Sequence, residues 1–148
     1  MSIIGSGRLI AVPTLIYLLL TILISSWTKP LFTISENNSA LTAIGLILIA
    51  AGLVSVFFSG RQLIAAYKSS SLKTDGMYKV CRNPLYASYL FFVLPGICLL
   101  FNSWLVLSSP VVLYIAITVF VKKEYEYLEE KFGDEYRRYL ERVWIRFI

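Results

Sequence analysis

The sequence predicts an all-α, polytopic membrane protein: four transmembrane helices followed by an amphipathic cytoplasmic helical tail. Three observations carry that expectation. Apolar residues form 57% of the chain and charged residues 16%, with a mean hydropathy of +0.70, well to the apolar side of soluble domains. The apolar residues gather in four windows, 8–27, 41–58, 84–101 and 104–121, each of 18 to 20 residues. Charge is segregated, with seven of fourteen Lys/Arg and seven of nine Asp/Glu lying after residue 121. At 148 residues this is a single membrane domain, 1–148.

Each window is long enough, at about 1.5 Å per residue, to cross a hydrocarbon layer of about 30 Å. The first lacks a clear small-residue cleavage site and exceeds the usual signal-peptide core, so it is expected to be a retained span. The connections set the orientation. Residues 28–40 hold one Lys, and Asn102-Ser103 holds no charge. The amino-terminal flank, the 59–83 connection and the tail together hold thirteen of the fourteen basic residues. Both termini and the 59–83 connection are therefore expected on the cytoplasmic side. Only Asn102 and Ser103 part the last two windows, which predicts an antiparallel hairpin. Pro95-Gly96 and Pro110 fall inside those windows, as ordinary kinks or as bends that line a cavity.

In the tail, Tyr125, Leu128, Phe132, Tyr136, Tyr139 and Val143 recur at steps of three or four, one face of a helix. Lys123, Glu126, Glu129, Glu130, Arg137, Arg138 and Arg142 form the solvated face. Gly133-Asp134 interrupts the run as a C-terminal glycine and a second N-cap. Such a tail folds back on the inner membrane surface or on the cytoplasmic ends of the spans.

The composition also excludes functions. There is no His, the commonest metal ligand and general base, and Cys81 and Cys98 do not make a zinc site or a disulfide framework, so no metal is expected. Cys81 is either a packing residue or a thiol whose pKa the neighbouring Arg82 lowers. The basic excess has no soluble stripe to bind nucleic acid, and beyond Arg8 no charge lies within a window to serve transport. No strand followed by a Gly-rich turn is present, so a soluble-type nucleotide fold is not expected.

The polar cluster in 72–86, LKTDGMYKVCRNPLY, stands at the entrance to the third window. Asp75-Gly76 is a turn signal. Asn83 and Pro84 suit a helix N-cap and first position. Tyr78, Lys79 and Tyr86 suit interfacial anchors, and Arg82 a snorkelling cation. Those readings leave their conjunction unexplained.

Taken together, the two motif regions 72–88 and 122–143 resemble those of the integral membrane methyltransferases, the group of isoprenylcysteine carboxyl methyltransferases and phospholipid methyltransferases. Thr74, Gly76, Tyr78, Arg82, Pro84 and Tyr86 match the first motif of that family. Glu124, Leu128, Phe132, Gly133, Tyr136, Tyr139 and Val143 match the second. The departures are Asn83 for the usual His, Ser88 for Gly, Tyr125 for the second Glu of a pair and Trp144 for Pro. The first of these removes an imidazole base.

The resemblance implies S-adenosylmethionine as cofactor, bound at the cytoplasmic ends of the last two helices beneath the tail. It implies methyl transfer to a hydrophobic or lipid-linked acceptor bearing a carboxyl, amine or thiol, with membrane lipids as further partners. Carried over, Arg82 and Asn83 are the expected catalytic residues. Tyr78, Arg82, Asn83, Pro84, Tyr86, Glu124 and Tyr136 are the expected cofactor residues, Glu124 for an ammonium and Arg82 for a carboxylate. The alternative is a non-catalytic membrane binding or assembly protein on the same scaffold, which the changes at 83 and 125 would favour.

Overall fold

The computed structural model describes residues 3–146. Within them the chain is helical: α1 (Ile3–Trp27), α2 (Ser39–Ser69), the short α3 (Met77–Val80), α4 (Pro84–Ser88), α5 (Leu94–Leu100), α6 (Ser109–Phe120) and α7 (Lys122–Arg142). A π-helical turn, Tyr89–Val93, joins α4 to α5, and a 3₁₀ turn, Val106–Ser108, leads into α6.

Three stretches are long and apolar enough to cross a membrane: Gly7–Trp27, Ser39–Ser69 and Val106–Arg142, the last by running α6 into the tail. The 84–101 window forms a shorter apolar helix, Pro84–Leu100. The outward faces of α1 and α2 are greasy; Leu19 is 60% exposed and Ile47 68%. In water such surface would be costly, and in lipid it is solvated.

Two helix pairs make the body. α1 packs on α6, and α2 packs on the run from α4 to α5. The second pairing follows from small residues. Gly45, Gly52, Ser59 and Ala66 recur every seven positions along α2 and are its buried stripe. A Cβ added at Gly96 would lie 2.8 Å from the Gly45 carbonyl oxygen, and one at Gly45 would lie equally close to the Gly96 carbonyl. Only glycine lets the two backbones meet. Beside them the Ser55 and Ser88 hydroxyls share a hydrogen bond of 2.6 Å.

Several expectations about the helix ends change. α2 runs eleven residues past the 41–58 window, through Arg61 and Gln62, so much of the expected 59–83 connection is helix. Pro95 lacks an N–H, and the helix widens just before it, with the Leu94 N–H reaching the Tyr89 carbonyl. Pro110 is not a mid-helix kink. It occupies the first turn of α6, where no intrahelical bond is lost. The hairpin turn is also longer than Asn102-Ser103. Asn102 adopts φ 48, and its side chain bonds the Ser35 backbone in both directions, tying the turn to the 28–38 loop.

The tail divides as expected. Gly133 has φ 46 and ψ −119, breaking α7 into two helical segments. Tyr136, Tyr139 and Val143 are buried against Leu72, Leu128, Phe132 and Leu140, the face read from the periodicity, while Tyr125 packs into the main core.

Candidate functional site

The 76–83 segment is positioned from two sides. Gly76, at φ 60, lies against the Gln62 side chain, where a Cβ would come within 2.2 Å of Nε2. Gln62 Oε1 accepts the Met77 N–H at 3.1 Å. From the tail, the Tyr139 hydroxyl donates to the Tyr78 carbonyl at 2.8 Å. The residues after α7 then pair with the loop: Ile145 N–H donates to Val80 O, and Arg82 N–H to Ile145 O. Arg82 is thus seated by backbone bonds to the carboxy-terminal segment.

Its side chain is held as firmly. Nε donates to the Tyr136 hydroxyl at 2.9 Å, Nη2 donates to the same oxygen, and Cζ lies 3.1 Å from the centre of the Tyr125 ring. Hydrogen bonds and cation–π attraction fix one edge and one face of the guanidinium. Tyr136 is 1% exposed, so its hydroxyl is a rigid acceptor.

Asn83 stands at the N-cap position of α4, but its side chain makes no cap bond. Nδ2 donates instead to the Tyr125 hydroxyl. Pro84 fills the first turn, as expected, and lies outside the cavity lining. Tyr86 reaches toward α7, its hydroxyl 3.3 Å from Glu124 Oε2.

These elements enclose a cavity of about 530 Å³, within the usual range for small-molecule sites. Arg82, Asn83, Tyr78, Tyr86, Glu124 and Tyr136 all line it; of the expected residues only Pro84 does not. Its polar residues thus include the Arg82 guanidinium, the Lys73 and Lys131 ammonium groups and the Glu124 carboxylate among phenol rings. Away from these it is apolar, running between α1 (Ile10, Thr14, Leu18) and α5 (Leu94, Ile97). The apolar part of the cavity is therefore walled by α1 and α5, and α5 and α6 stay in contact.

Two groups outside the membrane-crossing stretches have their protonation set by burial. The Tyr78 hydroxyl is pushed far up, first by desolvation and then by the Glu124 carboxylate, and stays protonated. The Cys81 thiol is likewise pushed up by burial. Arg82 does not activate it, and the packing reading of Cys81 is the right one.

Tyr125, expected on the apolar face of the tail and as a departure from the motif, was not among the expected site residues, yet it holds Arg82 and Asn83. Sequence reasoning also missed Tyr127 and Lys131, which line the cavity. A signal for these was present: they fall three and seven residues after Glu124, on its helix face. The α1 wall had no local signal. Among the described residues no cluster of His, Cys, Asp and Glu could hold a metal.

A family model for phospholipid methyltransferases matches residues 39–135, about two-thirds of the chain. The match begins at α2 and ends in α7, taking in both motif regions up to residue 135. No curated protein and no solved structure matches the chain significantly.

Proposed function

Because the chain belongs to the phospholipid methyltransferase family, we propose that it transfers methyl groups from S-adenosylmethionine to a hydrophobic or membrane-embedded acceptor, bearing a carboxyl, amine or thiol, at the cytoplasmic membrane face. The observation that carries this reading is the convergence of Arg82, Asn83 and Glu124, from two distant sequence regions, on one cavity.

The lining fits such a cofactor. Its ammonium, carboxylate and sulfonium call for an anion, a cation and aromatic walls. Glu124, Arg82 and the rings of Tyr78, Tyr86 and Tyr136 supply these. When bound, S-adenosylmethionine supplies a methyl group made electrophilic by a positive sulfur.

The protein's part is binding, orientation and exclusion of water. Tyr125 and Tyr136 immobilise Arg82 so that its remaining N–H groups can hold a carboxylate without reorganising. Tyr86 orients Glu124. Asn83 cannot accept a proton and Tyr78 keeps its own, so neither serves as a base. The acceptor is then one that presents a ready nucleophile, and a low-dielectric pocket strengthens its attraction to an opposite charge.

The apolar wall of α1 and α5 suits an acceptor that enters laterally from lipid. In this arrangement Pro84–Leu100, seventeen residues long, is a fourth, short span at the lower limit for crossing. Both termini and the two motif regions then lie on the cytoplasmic side with thirteen of the fourteen basic residues.

The test is saturable S-adenosylmethionine binding to the purified protein in detergent, measured by isothermal titration. Glu124→Ala and Arg82→Ala should abolish it while leaving the helical circular-dichroism spectrum intact. Transfer of labelled methyl into a lipid extract should follow. Absence of binding by the intact protein would defeat the methyltransferase reading and favour the non-catalytic membrane binding or assembly protein.

A further inference from the structure

We propose that a second cleft, between the 74–79 segment and the second half of the tail, binds the phosphate of an anionic lipid headgroup. It has a volume of about 340 Å³ and is lined by Thr74, Lys79, Glu135, Arg138, Tyr139, Arg142 and Val143. None of these belongs to the polar cluster of the main cavity except Tyr139, a wall common to both.

Three cations face this cleft against the single carboxylate of Glu135. Among the described residues none of the three is ion-paired. Arg137, on the same helix but outside the cleft, bonds Glu129 at 3.0 Å and lies 3.7 Å from Asp134. The helix thus neutralises the arginine that points away and leaves those at the cleft uncompensated. Like charges gathered in one concavity repel, and an entering anion relieves that repulsion. A phosphate matches the donors present: the Arg142 guanidinium, the Nη groups of Arg138 (whose Nε donates to the Asp134 carbonyl at 3.3 Å), one ammonium and the Thr74 hydroxyl.

Lipid is the source because the surroundings are apolar and exposed. Trp144, next to Val143, is 83% exposed, and Val80, next to Lys79, is 50% exposed. The Ile145–Val80 backbone bond brings these two segments side by side. Tryptophan beside cations is the composition of a membrane–water interface. Because the Tyr139 hydroxyl carries the Tyr78 carbonyl, a headgroup seated here would also brace the backbone that leads to Arg82.

The test uses the full chain in neutral detergent, titrated calorimetrically with dihexanoyl phosphatidylglycerol, dihexanoyl phosphatidylcholine and inorganic phosphate. Phosphatidylglycerol should bind saturably. Each cation removed should weaken it about fivefold, so Arg138→Gln/Arg142→Gln loses about twenty-five-fold, Lys79→Gln about fivefold and Arg137→Gln nothing. All four positions are exposed, so the variants should melt as the parent does. Should the double variant fail to fold, Lys79→Gln, on a different helix, decides the matter alone. Equal binding of phosphatidylcholine, or undiminished binding by the variants, would overturn the proposal. Inorganic phosphate binding as tightly as the lipid would overturn the lipid assignment.

Discussion

Replacing Tyr136 by Phe isolates the hold on Arg82. The ring stays, so packing against Tyr139, Leu128 and Phe132 is kept, and only the oxygen that accepts from Nε and Nη2 is lost. A hydrogen bond to a charged group contributes about 1.5–3 kcal/mol. Arg82 borders a cavity, so water can re-solvate the released N–H groups, and global stability should fall by no more than about 1 kcal/mol. The loss should instead appear where the guanidinium must be pre-positioned. At about 1.4 kcal/mol per factor of ten, cofactor affinity should drop about ten- to a hundredfold. Titration calorimetry in detergent, paired with a thermal melt, reads both quantities. An affinity within twofold of the parent, with the fold intact, would refute the argument that Tyr136 organises the site. A large loss of stability with parental affinity would make Tyr136 a packing residue.

Other perturbations address separate parts of the molecule. Tyr125→Phe keeps the ring under Arg82 and loses the Asn83 bond, whereas Tyr125→Leu loses both; cofactor affinity by calorimetry should fall in that order. Gly96→Ala should destabilise the α2–α5 contact by about 1–3 kcal/mol, since its Cβ would press on the Gly45 carbonyl and Ile49; a thermal melt in detergent measures this. Gly133→Ala meets no atom within 4 Å but must adopt φ 46, a strain of about 1–3 kcal/mol, so the tail should show faster proteolysis. Burial raises the Cys81 pKa, so the reactive thiolate is scarce in the folded protein at neutral pH. Iodoacetamide labelling, followed by mass spectrometry, should be slow there and accelerate only above the ordinary thiol range.

The tail shows how far periodicity reaches. Its buried face, its exposed charges and its break at Gly133 were all legible, because a 3.6-residue repeat records which side meets the core. The α2 stripe of Gly45, Gly52, Ser59 and Ala66 was equally present as a seven-residue repeat, yet it went unread: small residues contribute little to hydropathy although they set how near two helices approach. The 84–101 window lies within one residue of the helix Pro84–Leu100, but its internal π-turn at Tyr89–Val93 was not legible, since an apolar window reports composition and not the hydrogen-bond pattern inside it.

Alone, the sequence determined that the chain is helical and apolar, and that Arg82, Asn83 and Glu124 carry its polar motifs, because composition and local spacing are properties of the chain itself. Tertiary structure decided what those residues face. Tyr125 and Tyr136 lie 43 and 54 positions from Arg82 and become its partners only when the tail folds back and Ile145 pairs with the loop. The α1 wall of the cavity is likewise a property of how two helix pairs are set apart. Such contacts depend on long-range packing, whose geometry leaves no period in the sequence.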